Sequence, residues 1–197
     1  MHDVMTAHVT VERLRPDDDA AIAAACDLLE TAFGSGGYPS ERMKALASDA
    51  STLVACAWSD AKVVGVAVAR TAVDVRRAFG AFGEPALEQL RDAKVGVLES
   101  GTVATSHRGR GIGRDVTRWL MQWLREQRCT LAVAASWNSG GAQTSRPVLE
   151  RLGFGAIAES SSEVYRLTNL NGRPCPVCGA PCRCTGTLFV LPLEARA

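Results

Sequence analysis

A glycine-rich turn carrying three arginines, Arg108-Gly109-Arg110-Gly111-Ile112-Gly113-Arg114, joins an apolar run, Val95 to Val103, to an amphipathic one, Gly111 to Arg128. The first run reads as a strand. In the second, Ile112, Val116, Leu120 and Trp123 fall on one helical face, and Arg125 and Arg128 lie near the negative end. Glycines between a strand and a helix let backbone N–H groups turn toward a common point, and the helix start adds partial positive charge. The segment is therefore an anion cradle of a size to suit a diphosphate. Its spacing is G-x-G-x-G, not the G-x-G-x-x-G of dinucleotide folds, and Leu131 to Ala135 brings no carboxylate. The Lys-Ser/Thr of a P-loop is also absent.

The rest of the chain supplies a sheet and helices around this unit. Val9 to Arg13 alternates as a short strand, and Asp17, Asp18 and Asp19 mark the start of a helix whose stripe is Ile22, Cys26, Leu29 and Phe33. Gly34-Ser35-Gly36-Gly37 ends it, and Ser40 to Ala50 forms a second helix. Leu53 to Trp58 and Val63 to Thr71 make an antiparallel hairpin around Ser59-Asp60-Ala61-Lys62. Ala72 to Lys94 holds a helix-favouring stretch, Pro85 to Arg91. Leu131 to Ala135 is an apolar strand, and Ser145 to Leu152 a short helix with Pro147 in its first turn and Gly153-Phe154 as its stop. Glu163 to Thr168 and Thr187 to Leu193 are expected as the last two strands.

With 197 residues, 47% hydrophobic and 22% charged, the chain is expected to form one domain over residues 1–197. Its 22 basic and 21 acidic residues nearly cancel, so no global field favours nucleic acid or an anionic membrane. Met1 to Asp19 shows no basic segment followed by an apolar run, which predicts a soluble, cytoplasmic protein. Cys26, Cys56 and Cys129 sit singly in apolar surroundings. Cys175, Cys178, Cys182 and Cys184 instead crowd a loop, residues 169–186, between the last two strands. Cys175-Pro-Val-Cys178-Gly begins like a zinc knuckle, and Cys182 and Cys184 point the same way in extended chain. All four thiolates suit one structural zinc, with disulfides, free thiols or an intermolecular site as the alternatives. A closed four-thiolate site leaves no position for substrate.

Arg108, Gly111 and Gly113 match Arg/Gln-x-x-Gly-x-Gly/Ala, the signature of the GNAT superfamily of acyl-CoA-dependent N-acyltransferases, which the chain resembles in element order from Val9 to Leu193. The resemblance implies an α/β fold, with a central mixed sheet flanked by helices. Its Val95–Val103 and Leu131–Ala135 strands would splay to admit the pantetheine of acetyl-CoA. Backbone near Val103 and Thr105 would meet the pantetheine, and Arg108, Gly109, Arg110, Gly111, Ile112, Gly113 and Arg114 the pyrophosphate. Asn138 stands where members commonly carry an asparagine beside the cofactor.

Acyl transfer to an amine needs a base for its proton. Glu99 is the candidate, expected to share an apolar face with Val97, Gly101 and Val103. Many members have a tyrosine as general acid where this chain has Leu149, so the leaving thiolate's proton would come from solvent, Ser145 or Tyr165, or the thiolate would leave unaided. The acceptor is a small-molecule or protein amine, with the added loop as a partner-binding knob. Trp119 and Trp123 would serve the core or a homodimer face. The competing reading is a GNAT-fold binding module with weak or no catalysis.

Overall fold

The computed structural model describes residues 9–34, 36–139, 144–160, 175–179 and 182–193. Seven strands form one sheet in the order β1-β2-β3-β4-β5-β7-β6. They are β1 (Thr10–Arg13), β2 (Thr52–Ser59), β3 (Lys62–Arg70), β4 (Val95–Val103), β5 (Leu131–Asn138), β6 (Gly155–Ser160) and β7 (Thr185–Pro192). Every neighbouring pair is antiparallel except β4 with β5.

Helix α5 (Ile112–Glu126) covers one face of the sheet, burying Ile112, Val116, Leu120, Trp123 and Leu124 against Ala55, Ala67, Ala69 and Ala132. Small residues on the strands let it approach closely: a Cβ on Gly96 would stand 2.4 Å from Leu124 Cδ2. Trp119 packs on this same core, so both tryptophans of α5 serve packing. The opposite face is covered by α1 (Asp19–Phe33) and α2 (Ser40–Ser48) over β2 and β3. Farther along it lie α3 (Val75–Phe79) and α4 (Glu84–Leu90), over Val97, Val133 and Leu188.

Local chemistry accounts for the ends of these elements. Asp18 Oδ1 accepts from Ala21 N at 3.0 Å and starts α1. Asp74 Oδ1 does the same for Arg77 N at the start of α3, a helix of five residues, too short to show a periodic stripe in the sequence. The strand expected at Glu163–Thr168 falls outside the described residues. The strand that pairs with β7 there is β6, which follows directly on Gly153-Phe154 at the end of α6 (Arg146–Arg151).

The β2–β3 hairpin turns on Asp60 and Ala61, both left-handed at φ 49° and 60°. Two central residues of positive φ match the right-handed twist of the strands, and glycine suits the second. Alanine there carries strain, so Ala61→Gly is expected to raise unfolding free energy by about 0.5–1 kcal/mol. Urea titration of the two proteins checks this; an unchanged midpoint would show that the turn stores no strain.

Candidate active site

The parallel pairing of β4 with β5 runs from Val95–Leu131 to Leu98–Ala134 and stops, although β4 continues to Val103 and β5 to Asn138. Each strand beyond that point follows its other neighbour: β4 stays with β3 as far as Gly65–Val103, and β5 with β7 as far as Asn138–Thr185. The sheet therefore forks. The cause is local, because Val68 pairs with Ser100 and Ala69 with Leu98, leaving Glu99 as the extra residue of a β-bulge. A bulge bends its strand and re-aims side chains. Polar atoms are left over on both arms: Ser100 Oγ on β4 and Ser136 Oγ on β5 are buried and have no hydrogen-bond partner among the described residues.

The bulge also corrects the expected setting of Glu99. Val97 faces the α3–α4 side, whereas Val103 packs on the α5 core, so the alternation changes phase between them. Glu99 ends on the α2 side among charges. Its Oε1 accepts from Arg42 Nη2 and its Oε2 from Arg70 Nη1, each at 3.3 Å, and the side chain is 24% exposed. Arg42 is aimed by the α1–α2 connection, since its Nη1 donates to the Gly37 carbonyl at 2.7 Å and its guanidinium lies 4.7 Å from the Tyr38 ring centroid. The apolar surroundings expected from strand alternation are absent.

Past Val103 the chain makes one turn of 3₁₀ helix, Thr105–His107, and enters the cradle. Gly109 and Gly111 have φ of 76° and 83°, a region that side-chain-bearing residues rarely occupy. Gly111 is the N-cap of α5, and the first helical bond is Asp115 N to Gly111 O at 3.1 Å. The N–H groups of Ile112, Gly113 and Arg114 precede that bond and point out of the helix. Burial of the Ile112 side chain anchors them.

The arginines around the cradle play different parts. Arg108 folds back so that its Nε donates to the Val103 carbonyl at 2.9 Å, tying the turn to the end of β4. Arg110 Nη2 donates to Ser106 O at 3.2 Å, and Arg114 pairs with Asp115 at 3.0 Å. Thr105 is exposed at the start of the 3₁₀ turn. Asn138, at the end of the other arm, donates to Thr185 Oγ1 at 3.2 Å and Thr187 Oγ1 at 2.8 Å, fastening β5 to β7.

Leu149 is buried in the core beneath α5 and offers no proton. Ser145 occupies the N-cap of α6, and its hydroxyl makes no capping bond. Tyr165 lies outside the described residues. The three single cysteines are buried, and burial pushes their thiols up, Cys56 to about 12, so none is a ready nucleophile.

The four clustered cysteines do converge. All their Sγ atoms lie within 4.8 Å of one another, with Cys175–Cys184 and Cys178–Cys184 at 3.6 Å and Cys178–Cys182 at 3.7 Å. Tetrahedral zinc at about 2.3 Å from each sulfur sets the sulfurs roughly 3.8 Å apart, whereas a disulfide needs about 2.05 Å. The set fits zinc. Arg183 N donates to Cys178 Sγ at 3.3 Å and is the main reason that this thiol is lowered to about 7. Gly179 N closes the knuckle on Cys175 O at 3.0 Å.

The cluster touches β5 and the end of α1. Trp137, on β5, packs against it, while its ring lies 6.3 Å from that of Phe33 at the end of α1. Pro176 stands against Gly34, 3.6 Å from where a Cβ there would lie.

Known proteins share this architecture. The ribosomal-protein-S18-alanine N-acetyltransferase of Escherichia coli superposes with a TM-score of 0.64 at 14% identity, over 96% of this chain and 97% of that one. For yncA from Salmonella typhimurium, solved with its cofactor acetyl-CoA, the values are 0.65 and 18%, over 96% of each chain. An aminoglycoside 6'-acetyltransferase type Ii gives 0.63 and 10%, over 95% and 99%. At these identities the likeness is one of fold. A search of curated proteins by sequence gives no match. Residues 22–154, about two-thirds of the chain, match the acetyltransferase (GNAT) family, and they span the fork, the bulge and the cradle. The chain is a member of the GNAT acetyltransferase family.

Proposed function

We propose that the protein transfers the acetyl group of acetyl-CoA directly to a primary amine, with Glu99 as the base. The observation that carries this reading is the continuity of the fork with the cradle: the strand that parts from β5 beyond Leu98 leads, past Val103, into the turn whose N–H groups point outward. In this reading the amides from Arg108 to Gly113 take the pyrophosphate, with Arg110 and Arg114 adding attraction for the phosphates. The backbone near Val103 and Thr105 takes the pantetheine, and Asn138 keeps the opposite arm in place. The amine nitrogen attacks the thioester carbonyl, its proton passes to Glu99, the C–S bond breaks as the C–N bond forms, and CoA leaves as a thiolate protonated by water.

The cysteine cluster is proposed to hold a structural zinc that ties the β6–β7 connection to β5 and α1. Four thiolates close the coordination shell, so the metal stays outside the chemistry. Among the described residues no helix is long and apolar enough to cross a membrane.

Glu99→Gln preserves shape and removes the base. It is expected to lower kcat about 100-fold while acetyl-CoA affinity holds. An unchanged kcat would remove Glu99 from the mechanism.

A further inference from the structure

Two guanidiniums share one carboxylate at the apex of the fork, and Asp49 lies near enough to feel the charge of Arg70. Glu99 is one carboxylate between two guanidiniums, and each of its oxygens takes a single N–H, at 3.3 Å. A guanidinium that meets a carboxylate edge-on closes to roughly 2.7–2.9 Å through two parallel bonds. Both arginines thus hold Glu99 by one prong and keep donors in reserve. Arg70 Nε is buried without a hydrogen-bond partner among the described residues. Arg42 is held toward the site by Gly37 and Tyr38. The next carboxylate, Asp49, is engaged by Ser51 and Thr52 at 2.9 Å and forms no ion pair with Arg70 among the described residues. The side chains of Arg42 and Arg70 remain 47% and 35% exposed, so a small molecule can reach them.

We infer that the acceptor is a primary amine bearing a carboxylate beside its nitrogen, as an α-amino acid does, and that Arg42 and Arg70 select it. The inference rests on the acetyltransferase reading above. A zwitterion complements the apex charge for charge. Its carboxylate takes the unused prongs of the two arginines, and its ammonium takes Glu99. Drawing the arginines onto the acceptor frees the Glu99 carboxylate: the ammonium gives one proton to water to become the attacking amine, and the second passes to Glu99 as the C–N bond forms, so the group that is recognised also prepares the base. A polyamine or a lysyl side chain brings cations without an anion and meets two guanidiniums, which disfavours it.

The test uses the full-length, metal-quantified protein with acetyl-CoA. Methionine and phenylalanine are compared with the amines that lack only their carboxylates, and with spermidine and a lysine-containing peptide, product being read by mass spectrometry. The amino acids are expected to exceed their decarboxylated partners by about 100-fold in kcat/KM, because a site built for a polar group discriminates strongly against its absence. Arg42→Gln and Arg70→Gln are each expected to raise KM for the amino acid about 10- to 100-fold without changing acetyl-CoA affinity by calorimetry. The lysine variants should recover part of that loss. Equal or faster turnover of the decarboxylated amines, spermidine or the peptide would overturn the inference and leave the acetyltransferase reading standing. Failure to bind acetyl-CoA would overturn that reading and the inference with it.

Discussion

Gly111→Val will abolish acetyl-CoA binding in a protein that still folds. At φ 83° Gly111 holds the left-handed conformation from which α5 starts, and a β-branched residue cannot stay there without strain. Relief comes by rotating the peptide planes of the turn, which swings the N–H groups of Ile112 and Gly113 away from their common point. Two charge-assisted hydrogen bonds lost to a pyrophosphate amount to about 3–6 kcal/mol, or upward of 100-fold in affinity.

The fold is spared because the site is local. A Cβ at Gly111 would lie 3.1 Å from Arg114 Nη2, the mobile end of an exposed side chain, and not against the core. Strain at such a position costs about 1–3 kcal/mol. Gly113 is a useful contrast: its φ is not positive, and a Cβ there meets only Val103 and Val148 at 3.8 and 3.9 Å. Gly113→Ala should therefore fold as the parent does and weaken binding only as far as its methyl intrudes on the ligand. Calorimetric titration with acetyl-CoA and with CoA, beside a thermal melt, checks both variants. Undiminished affinity in folded Gly111→Val would mean that the cradle binds nothing.

Much of this site is written locally in the chain, and what escaped the sequence reading is non-local. The glycine turn, the strand before it and the helix after it carry their own periodicity and turn chemistry, so the cradle was legible from the residues alone. Glu99 was legible as a position but not as an environment. One extra residue between Leu98 and Ser100 changes the phase of the strand, and the register that reveals it belongs to pairing with β3. Nor does any local pattern bring Arg42 and Arg70, 57 and 29 residues away, onto the same carboxylate. The missed strand β6, Gly-Ala-Ile-Ala-Glu-Ser, has little β character of its own; it is a strand because β7 presents a ladder to it. The cysteines were the opposite case. Their crowding in sequence pointed to a single cluster, and convergence of the sulfurs to 3.6–3.7 Å needed only a knuckle turn and an extended dipeptide.

Stripping the cluster should cost the protein several kcal/mol of stability while sparing the cradle. The purified protein is expected to carry one zinc per chain, and Cys175→Ser combined with Cys184→Ser to carry none. Those two cysteines are buried at 4% and 3% exposure, and around them meet the start of β7, Trp137 of β5 and, through Trp137, Phe33 of α1. Structural zinc contributes folding free energy outright, because the site does not exist in the unfolded chain. Its loss is offset by local loosening, so the net cost is set at about 3–5 kcal/mol, or roughly 10 °C in melting temperature for a chain of this size. Trp137 provides a local reporter: the indole packed on the cysteines is released, and tryptophan emission should change before the global transition. The cradle, built from β4 and α5 with no atom of the cluster, should still bind acetyl-CoA. Turnover should suffer through acceptor KM, because Phe33 and Gly34 lead into the α1–α2 connection that aims Arg42. Substoichiometric zinc in protein purified under reductant without chelator would dismiss the metal. Loss of acetyl-CoA affinity in the folded, zinc-free variant would instead show that the cluster reaches the cradle.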